Sequence, residues 1–192
     1  STPFASELLT IGCFDQAPYG GFPYGMFKAF VSEATTQPQA GQTEGGKTWT
    51  KTAAGADGLV NLYSKYYPDT SNKDCVGYAH LYVKSNTAQD LRLWITASGD
   101  IRLFWNNDRF RNSNDLRDFV YGRYGYNTSG TWKDSYGVGV HLEPGWNRIL
   151  VKTTHKQGYV WKIGIRLANR DGSAPSGLTY CADKPVTGTC PP

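Results

Sequence analysis

Residues 105 to 136, WNNDRFRNSNDLRDFVYGRYGYNTSGTWKDSY, bring together the two kinds of group that recognise sugars. A sugar ring has an apolar C–H face beside a rim of hydroxyls. Proteins meet the face with Trp or Tyr and the rim with Asp, Asn, Arg and Gln. The aromatic set is Trp105, Phe110, Phe119, Tyr121, Tyr124, Tyr126, Trp132 and Tyr136. The polar set includes Asn107, Asp108, Arg109, Arg111, Arg117, Arg123, Asn127, Lys133 and Asp134. The arginines would also suit the carboxylates of an acidic glycan. Trp132, flanked by Gly130, Thr131, Lys133 and Asp134, is the best exposed platform. Tyr124, Tyr126 and Arg123 come next, then Tyr121, Asn127, Asp108 and Arg109. The competing reading is a long loop that folds back and buries its rings; that is expected for Phe110 and Phe119 and stays open for Tyr121 and Tyr136. Two other places could hold a ligand, the loop from Phe14 to Phe27 and the outer face around Tyr82 and Trp94.

Other chemistry is poorly provided for. There is no GxSxG elbow, P-loop or HExxH. His80 and His141 sit at strand positions, where a satisfied structural histidine is expected, and His155 lies on a different element. The carboxylates Asp108, Asp115, Asp118 and Asp134 share one polar loop, which disfavours a glycosidase pair set across a cleft. A polysaccharide lyase would need a Tyr or His base beside a charge-neutralising Arg or Asn; Tyr121, Arg123, Tyr124, Asn127 and His80 could supply that. Arginine interleaved with aromatics also suits single-stranded nucleic acid, but a net charge of only +4 and the expected disulfides weigh against it. The sequon Asn127-Thr128-Ser129 is a weak glycosylation signal.

The elements that must position this segment read as strands. Val138, Val140 and Leu142 alternate, Glu143-Pro144-Gly145 breaks the run, and Trp146–Lys152 resumes it. This predicts a hairpin close to the middle of a sheet. Tyr78–Lys84, Leu91–Thr96 and Ile101–Trp105 alternate cleanly and predict a three-stranded meander, with His80, Tyr82, Lys84, Arg92 and Trp94 facing out. Leu8–Gly12 opens the fold, Leu59–Tyr63 is a short strand, and Tyr159–Leu167 is the last long one. Between them lie a Gly- and Pro-rich loop with Phe14, Tyr19, Phe22, Tyr24 and Phe27, expected to fold onto the core, and a polar stretch from 31 to 58. That stretch could be a linker, although Trp49 argues for a docked point. No helix is expected beyond a possible turn near Ser113 to Val120, and no internal repeat is visible.

The 192 residues suit one domain, 1–192, and 14% aromatics with 22 glycines favour an all-β sandwich. Four cysteines without a CxxC pair speak against a zinc ribbon and for an oxidising compartment. Three pairings are possible. A local Cys181–Cys190 bridge is favoured, leaving Cys13–Cys75; four free buried thiols are the alternative. No run reaches the roughly 18 apolar residues of a membrane span. The start STPFASELL, with neither Met nor a basic segment, reads as a mature or excised fragment.

The order of Trp49, Asp57–Leu62, Gly77–Val83, Leu91–Leu93, Ile101–Asn107 and Leu142–Lys152, with Ile11–Phe14 as an opening strand, resembles the non-catalytic β-sandwich modules appended to bacterial secreted glycoside hydrolases and polysaccharide lyases. The resemblance covers roughly residues 8 to 170 and is most specific over Leu142–Lys152. It implies a jelly-roll sandwich that binds a polysaccharide, an acidic one included, without cleaving it. It also implies a secreted, extracellular monomer partnered with a catalytic domain, without nucleic acid or membrane. The alternatives are a small jelly-roll lyase acting on a uronate polymer and a structural spacer. No cofactor is expected. A structural calcium finds no support in the turn Ala97-Ser98-Gly99-Asp100, where related sandwiches often carry paired acidic residues and this chain has one. None of the family's residues maps onto Asp108–Tyr136, so the site residues there rest on composition.

Overall fold

Eleven consecutive residues, Cys75–Ser85, form a strand with apolar side chains on one face and aromatic or polar ones on the other. The strands on either side of it set the architecture. The computed structural model describes residues 2–106 and 136–192 and, between them, the backbone of 108–109 and 119–120. Its strands in chain order are β1 (Glu7–Asp15), β2 (Thr43–Glu44), β3 (Lys47–Thr48), β4 (Thr50–Ala53), β5 (Val60–Asn61), β6 (Cys75–Ser85) and β7 (Gln89–Ala97). They continue as β8 (Ile101–Trp105), β9 (Asp108–Arg109), β10 (Phe119–Val120), β11 (Tyr136–Leu142), β12 (Gly145–His155), β13 (Lys162–Ala168) and β14 (Leu178–Cys181).

These strands build an all-β sandwich. The larger sheet runs β10-β8-β12-β6-β1-β4, with β14 also on β6 and β9 on β8; the smaller runs β11-β7-β13-β5. The pairings are antiparallel. From β6 to β8 and from β11 to β14 the chain changes sheet at each connection, the winding of a jelly roll. The core lies between the inner faces, with Ala79, Leu81, Val83, Ile149 and Val151 of the larger sheet against Leu93, Ile95, Val138, Val140, Ile163 and Ile165 of the smaller.

The expected strand over Trp146–Lys152 is present and central, since β12 lies between β6 and β8. Two expected connections are not. Glu143-Pro144-Gly145 does not turn a hairpin, because β11 pairs with β7 in the smaller sheet while β12 pairs in the larger. Likewise β6, β7 and β8 are not a meander: β7 faces the other two across the core. Alternation dictates which face of a strand is buried, and a strand meets that demand equally well beside its sequence neighbour or opposite it. Leu62–Lys65 forms a one-turn helix, capped by the Asn61 side chain accepting from the Ser64 amide, where a strand was expected to run on to Tyr63. The last long strand starts at Lys162, and Tyr159 sits in the turn before it. Phe119–Val120 is extended and paired rather than helical; residues 113–118 of the expected turn lie outside the described part.

The outer face of the larger sheet is also buried. Residues 14–50, mostly without regular structure, lie over it and enclose Leu9, Ile11, Phe14, Val31, Trp49, Val76, Tyr78, Phe104 and Leu150. Trp49 is fully buried, so residues 31–50 are a third layer and not a linker. An irregular layer has carbonyls that no ladder satisfies. Long cations on β12 reach them. Lys152, fully buried, donates to the carbonyls of Met26 (3.0 Å) and Lys28 and pairs with Glu33 at 2.9 Å. Arg148 donates to the carbonyls of Glu33 (3.1 Å) and Ala34 (3.3 Å) and of Asn106. Both favoured disulfides are formed, Cys13–Cys75 between β1 and β6 and Cys181–Cys190 in the tail.

Candidate functional site

Immediately after β1 the chain reads Gln16-Ala-Pro-Tyr-Gly-Gly-Phe-Pro-Tyr-Gly-Met-Phe27. Its Pro and Gly content forbids a strand and allows short turns. Two 3₁₀ turns result, Ala17–Tyr19 and Tyr24–Phe27. The loop is anchored from below. Gln16 is completely buried; its amide donates to the Cys75 carbonyl (2.8 Å) and accepts from the Gly25 amide (3.0 Å). A Cβ on Gly25 would stand 2.6 Å from Gln16 Cγ, so the close approach requires glycine. Met26 is buried and its carbonyl receives the Lys152 ammonium. The Tyr78 hydroxyl donates to Glu33 (2.6 Å) and accepts from the Phe30 amide (3.2 Å), fixing the far end. The Cys13–Cys75 bridge locks the near end, two residues before Asp15, which pairs with Cys75.

With its backbone held, the loop turns aromatic rings outward. Tyr19 is 44%, Tyr24 56% and Phe27 59% exposed, while Phe14 and Met26 point in. The loop therefore departs from the expectation that its aromatics fold onto the core. Cations flank the rings: Lys28 lies 5.6 Å from the centroid of Tyr19, Arg102 5.8 Å from Phe27, and Lys156 5.7 Å from Phe22. Beside Phe22 and Pro23 is a cavity of about 250 Å³, walled by the turn Ser98-Gly99-Asp100 and by Thr154–Lys156, Tyr159 and Val160. Tyr159 and Val160 are exposed at its lip. Its floor is rigid: the Asp100 amide donates to Thr154 Oγ1 (3.2 Å), and a Cβ on Gly99 would stand 2.0 Å from the Thr154 carbonyl oxygen. His155, buried here, bonds the Tyr159 carbonyl through Nε2 (2.9 Å), and burial holds its pKa below the ordinary histidine value.

Among the expected site residues, Tyr121, Arg123, Tyr124, Tyr126, Asn127 and Trp132 lie outside the described residues. Asp108 and Arg109 are described in backbone only, paired with Trp105 and Phe104. Backbone pairing places the two described residues that precede Tyr121. Val120, which precedes Tyr121, pairs with Ile101; Phe119 pairs with Arg102, whose guanidinium sits by Phe27. The two fallback positions separate. Tyr82 is buried on the larger sheet with its hydroxyl on the Pro38 carbonyl (2.7 Å), while Trp94 lies half-buried on the outer face of the smaller one. His80 has no access to a substrate: it is completely buried, accepts from Arg148 Nε at 3.3 Å, and is held neutral by burial and by the Arg148 charge. His141 instead is exposed, between Asp90 (2.7 Å) and Glu143 (3.2 Å). Among the described residues no group of three or more His, Cys, Asp or Glu gathers to hold a metal, the Ala97–Asp100 turn included.

A signal for the loop exists in the sequence. Pro18-Tyr-Gly-Gly-Phe22 and Pro23-Tyr-Gly-Met-Phe27 are tandem copies of one five-residue unit, a short internal repeat. Each copy places a Tyr and a Phe, and a fold that only needed to bury aromatics would not need that spacing twice.

No protein-family model matches the chain, and no curated protein matches it. Solved structures similar to it include a β-glucosidase from Kluyveromyces marxianus in complex with glucose (TM-score 0.47, 8% identity), covering 85% of this chain and 16% of that one. A family 35 carbohydrate binding module from an environmental isolate has a TM-score of 0.33 and 14% identity, with 62% of this chain and 73% of that one covered. The GH31 α-xylosidase from Xanthomonas citri has a TM-score of 0.40 and 12% identity, with 70% and 14% covered. The chain thus spans about a sixth of the length of the β-glucosidase.

Proposed function

We propose that residues 1–192 act as one non-catalytic carbohydrate-binding module, which targets a secreted parent enzyme to a polysaccharide. The observation that carries this reading is the loop Ala17–Phe27: Tyr19, Tyr24 and Phe27 stand in solvent on a backbone fixed by Gln16, Lys152 and a disulfide. Contiguous exposed apolar groups mark interaction surfaces, and Tyr24 and Phe27 are contiguous, with ring centroids 6.4 Å apart. Holding them in place before binding removes much of the ordering entropy that a ligand would otherwise have to offset. The rings accept the C–H faces of sugar units, and Lys28, Arg102 and Lys156 beside them meet hydroxyls or carboxylates. The cavity next to Phe22 is smaller than the roughly 300–1,000 Å³ of pockets for drug-sized ligands, which suits one sugar ring at a chain end or branch.

The segment after Val120 extends this surface in the proposal. Trp132, Tyr124, Tyr126 and Arg123, with Tyr121, Asn127, Asp108 and Arg109, supply further sugar contacts through the residue types that meet apolar faces and hydroxyls. Two disulfides support a secreted setting. The partners are the polysaccharide and the parent's catalytic domain, and the module works as a monomer.

Affinity electrophoresis against neutral and acidic polysaccharides tests the reading, with wild type beside Tyr24→Ala/Phe27→Ala and Trp132→Ala. Retardation in at least one gel, lost in the loop variant, is the expected result. Retardation lost only with Trp132→Ala would move the site to the later segment. Release of unsaturated product from a uronate polymer would replace the binding reading with lyase action.

A further inference from the structure

The outer face of the smaller sheet carries a second set of groups, remote in sequence from the aromatic loop. Arg92 on β7 stands in register between Gly139 on β11 and Ala168 on β13, the smallest neighbours a strand can offer. A Cβ added to Gly139 would meet nothing within 4 Å. The result is an open groove of about 440 Å³, lined by Asp90, Leu91, Arg92, Gly139, Val140, His141 and Arg170. Two residues along, Trp94 lies flat across Gly137, where an added Cβ would come within 2.5 Å of the ring. The Arg92 guanidinium stacks 5.1 Å from the Trp94 centroid, which holds it at the groove wall.

Charge makes this groove selective. Asp90 is engaged by His141 at 2.7 Å, and His141 also reaches Glu143 at 3.2 Å. Among the described residues, neither Arg92 nor Arg170 has a carboxylate partner, and Arg92 Nε is buried without a hydrogen-bond acceptor. We infer that the groove binds the carboxylate of a uronic-acid unit: Arg92 and Arg170 take the carboxylate, and the sugar ring lies against the bare backbone at Gly139. This second site rests on the carbohydrate-binding reading and names the ligand class as an acidic glycan.

Tetragalacturonate and its methyl ester are the probes, titrated calorimetrically into wild type, Arg92→Gln/Arg170→Gln, Gly139→Val and Tyr24→Ala/Phe27→Ala. Gly139→Val fills the groove floor without altering charge or the Trp94 stack, so a loss there does not depend on how the arginine variant folds. The free acid should bind wild type at least about tenfold more tightly than the ester. Both groove variants should lose about that factor for the acid alone, with unchanged unfolding midpoints for Gly139→Val. Equal affinity for acid and ester, no binding of the acid, or full binding by Gly139→Val would overturn the inference. The loop variant separates the two proposals. If neutral polysaccharide is still held through Tyr24 and Phe27 while the acid does not bind, only the groove fails; if the acid binds through Arg92 and Arg170 while the loop variant is retarded by polysaccharides as strongly as wild type, only the loop reading fails.

Discussion

On the larger sheet the outward side chains Tyr78, His80, Arg148 and Lys152 lie beneath residues 14–50, whereas on the smaller sheet Arg92 and His141 reach solvent beside an open Gly139. Both sets obey the same alternation, and both are rich in cations and aromatics. They differ in what lies above them. Over the larger sheet the cations satisfy carbonyls of an irregular layer and serve structure; over the smaller, no such layer lies on Arg92 and His141 among the described residues, while Arg166 on the same face is buried and donates to Thr2. A polar or aromatic outer face in a sandwich sequence therefore has two destinations, and the segment available to cover it decides between them.

Removing the buried cation should separate the two faces most sharply. Lys152→Ala takes the ammonium from Glu33, which keeps the Tyr78 hydroxyl, and from the Met26 and Lys28 carbonyls, of which Met26 keeps a bond from Arg102. Breaking a buried pair in this way costs about 3–5 kcal/mol, measurable by denaturant unfolding, and should release the aromatic loop with it. Trp49→Ala, within the covering layer, should cost a similar amount, about 3–5 kcal/mol. Serine at Cys13 and Cys75 should cost about 2–4 kcal/mol and raise hydrogen exchange at Gly25. Arg92→Gln on the open face should change stability by only about 0.5–1 kcal/mol, the worth of an exposed cation–π contact.

The smallest effect is one of pH, and its sign differs between histidines. Burial depresses His80 and His155, so the unfolded chain takes up protons that the fold refuses; their contribution is present above about pH 6.5 and is lost as pH falls. His141 runs the other way. Its hydrogen bond to Asp90, with Glu143 nearby, raises its pKa, so its contribution is complete below about pH 6.5 and disappears as pH rises through the raised value. Unfolding between about pH 5 and 8 should show a shallower acid limb for His155→Phe and a steeper one for His141→Gln.

The buried faces of the strands were legible from alternation, as was the centrality of Trp146–Lys152, and both disulfides matched the favoured pairing. Which strands lie side by side was not legible, because Leu93 on β7 satisfies the same hydrophobic demand opposite Leu81 as it would beside it. The third layer was hidden for a different reason. Residues 31–50 have no periodicity; Trp49 alone hinted at docking, and the long-range contacts of Lys152, Arg148, Tyr78 and Tyr82 show how they pack. Local composition also pointed away from Tyr19, Tyr24 and Phe27: a Gly- and Pro-rich loop with five aromatics reads as self-packing until Gln16 and Gly25 are seen to hold its backbone instead.

The most direct test of the central claim is quantitative binding of one retained polysaccharide to wild type and to Tyr24→Ala/Phe27→Ala, with unfolding midpoints measured on the same samples. Both rings are more than half exposed, so the substitutions should leave stability almost unchanged while weakening binding by about tenfold or more. Binding that survives the double substitution at full strength would contradict a polysaccharide site on this loop.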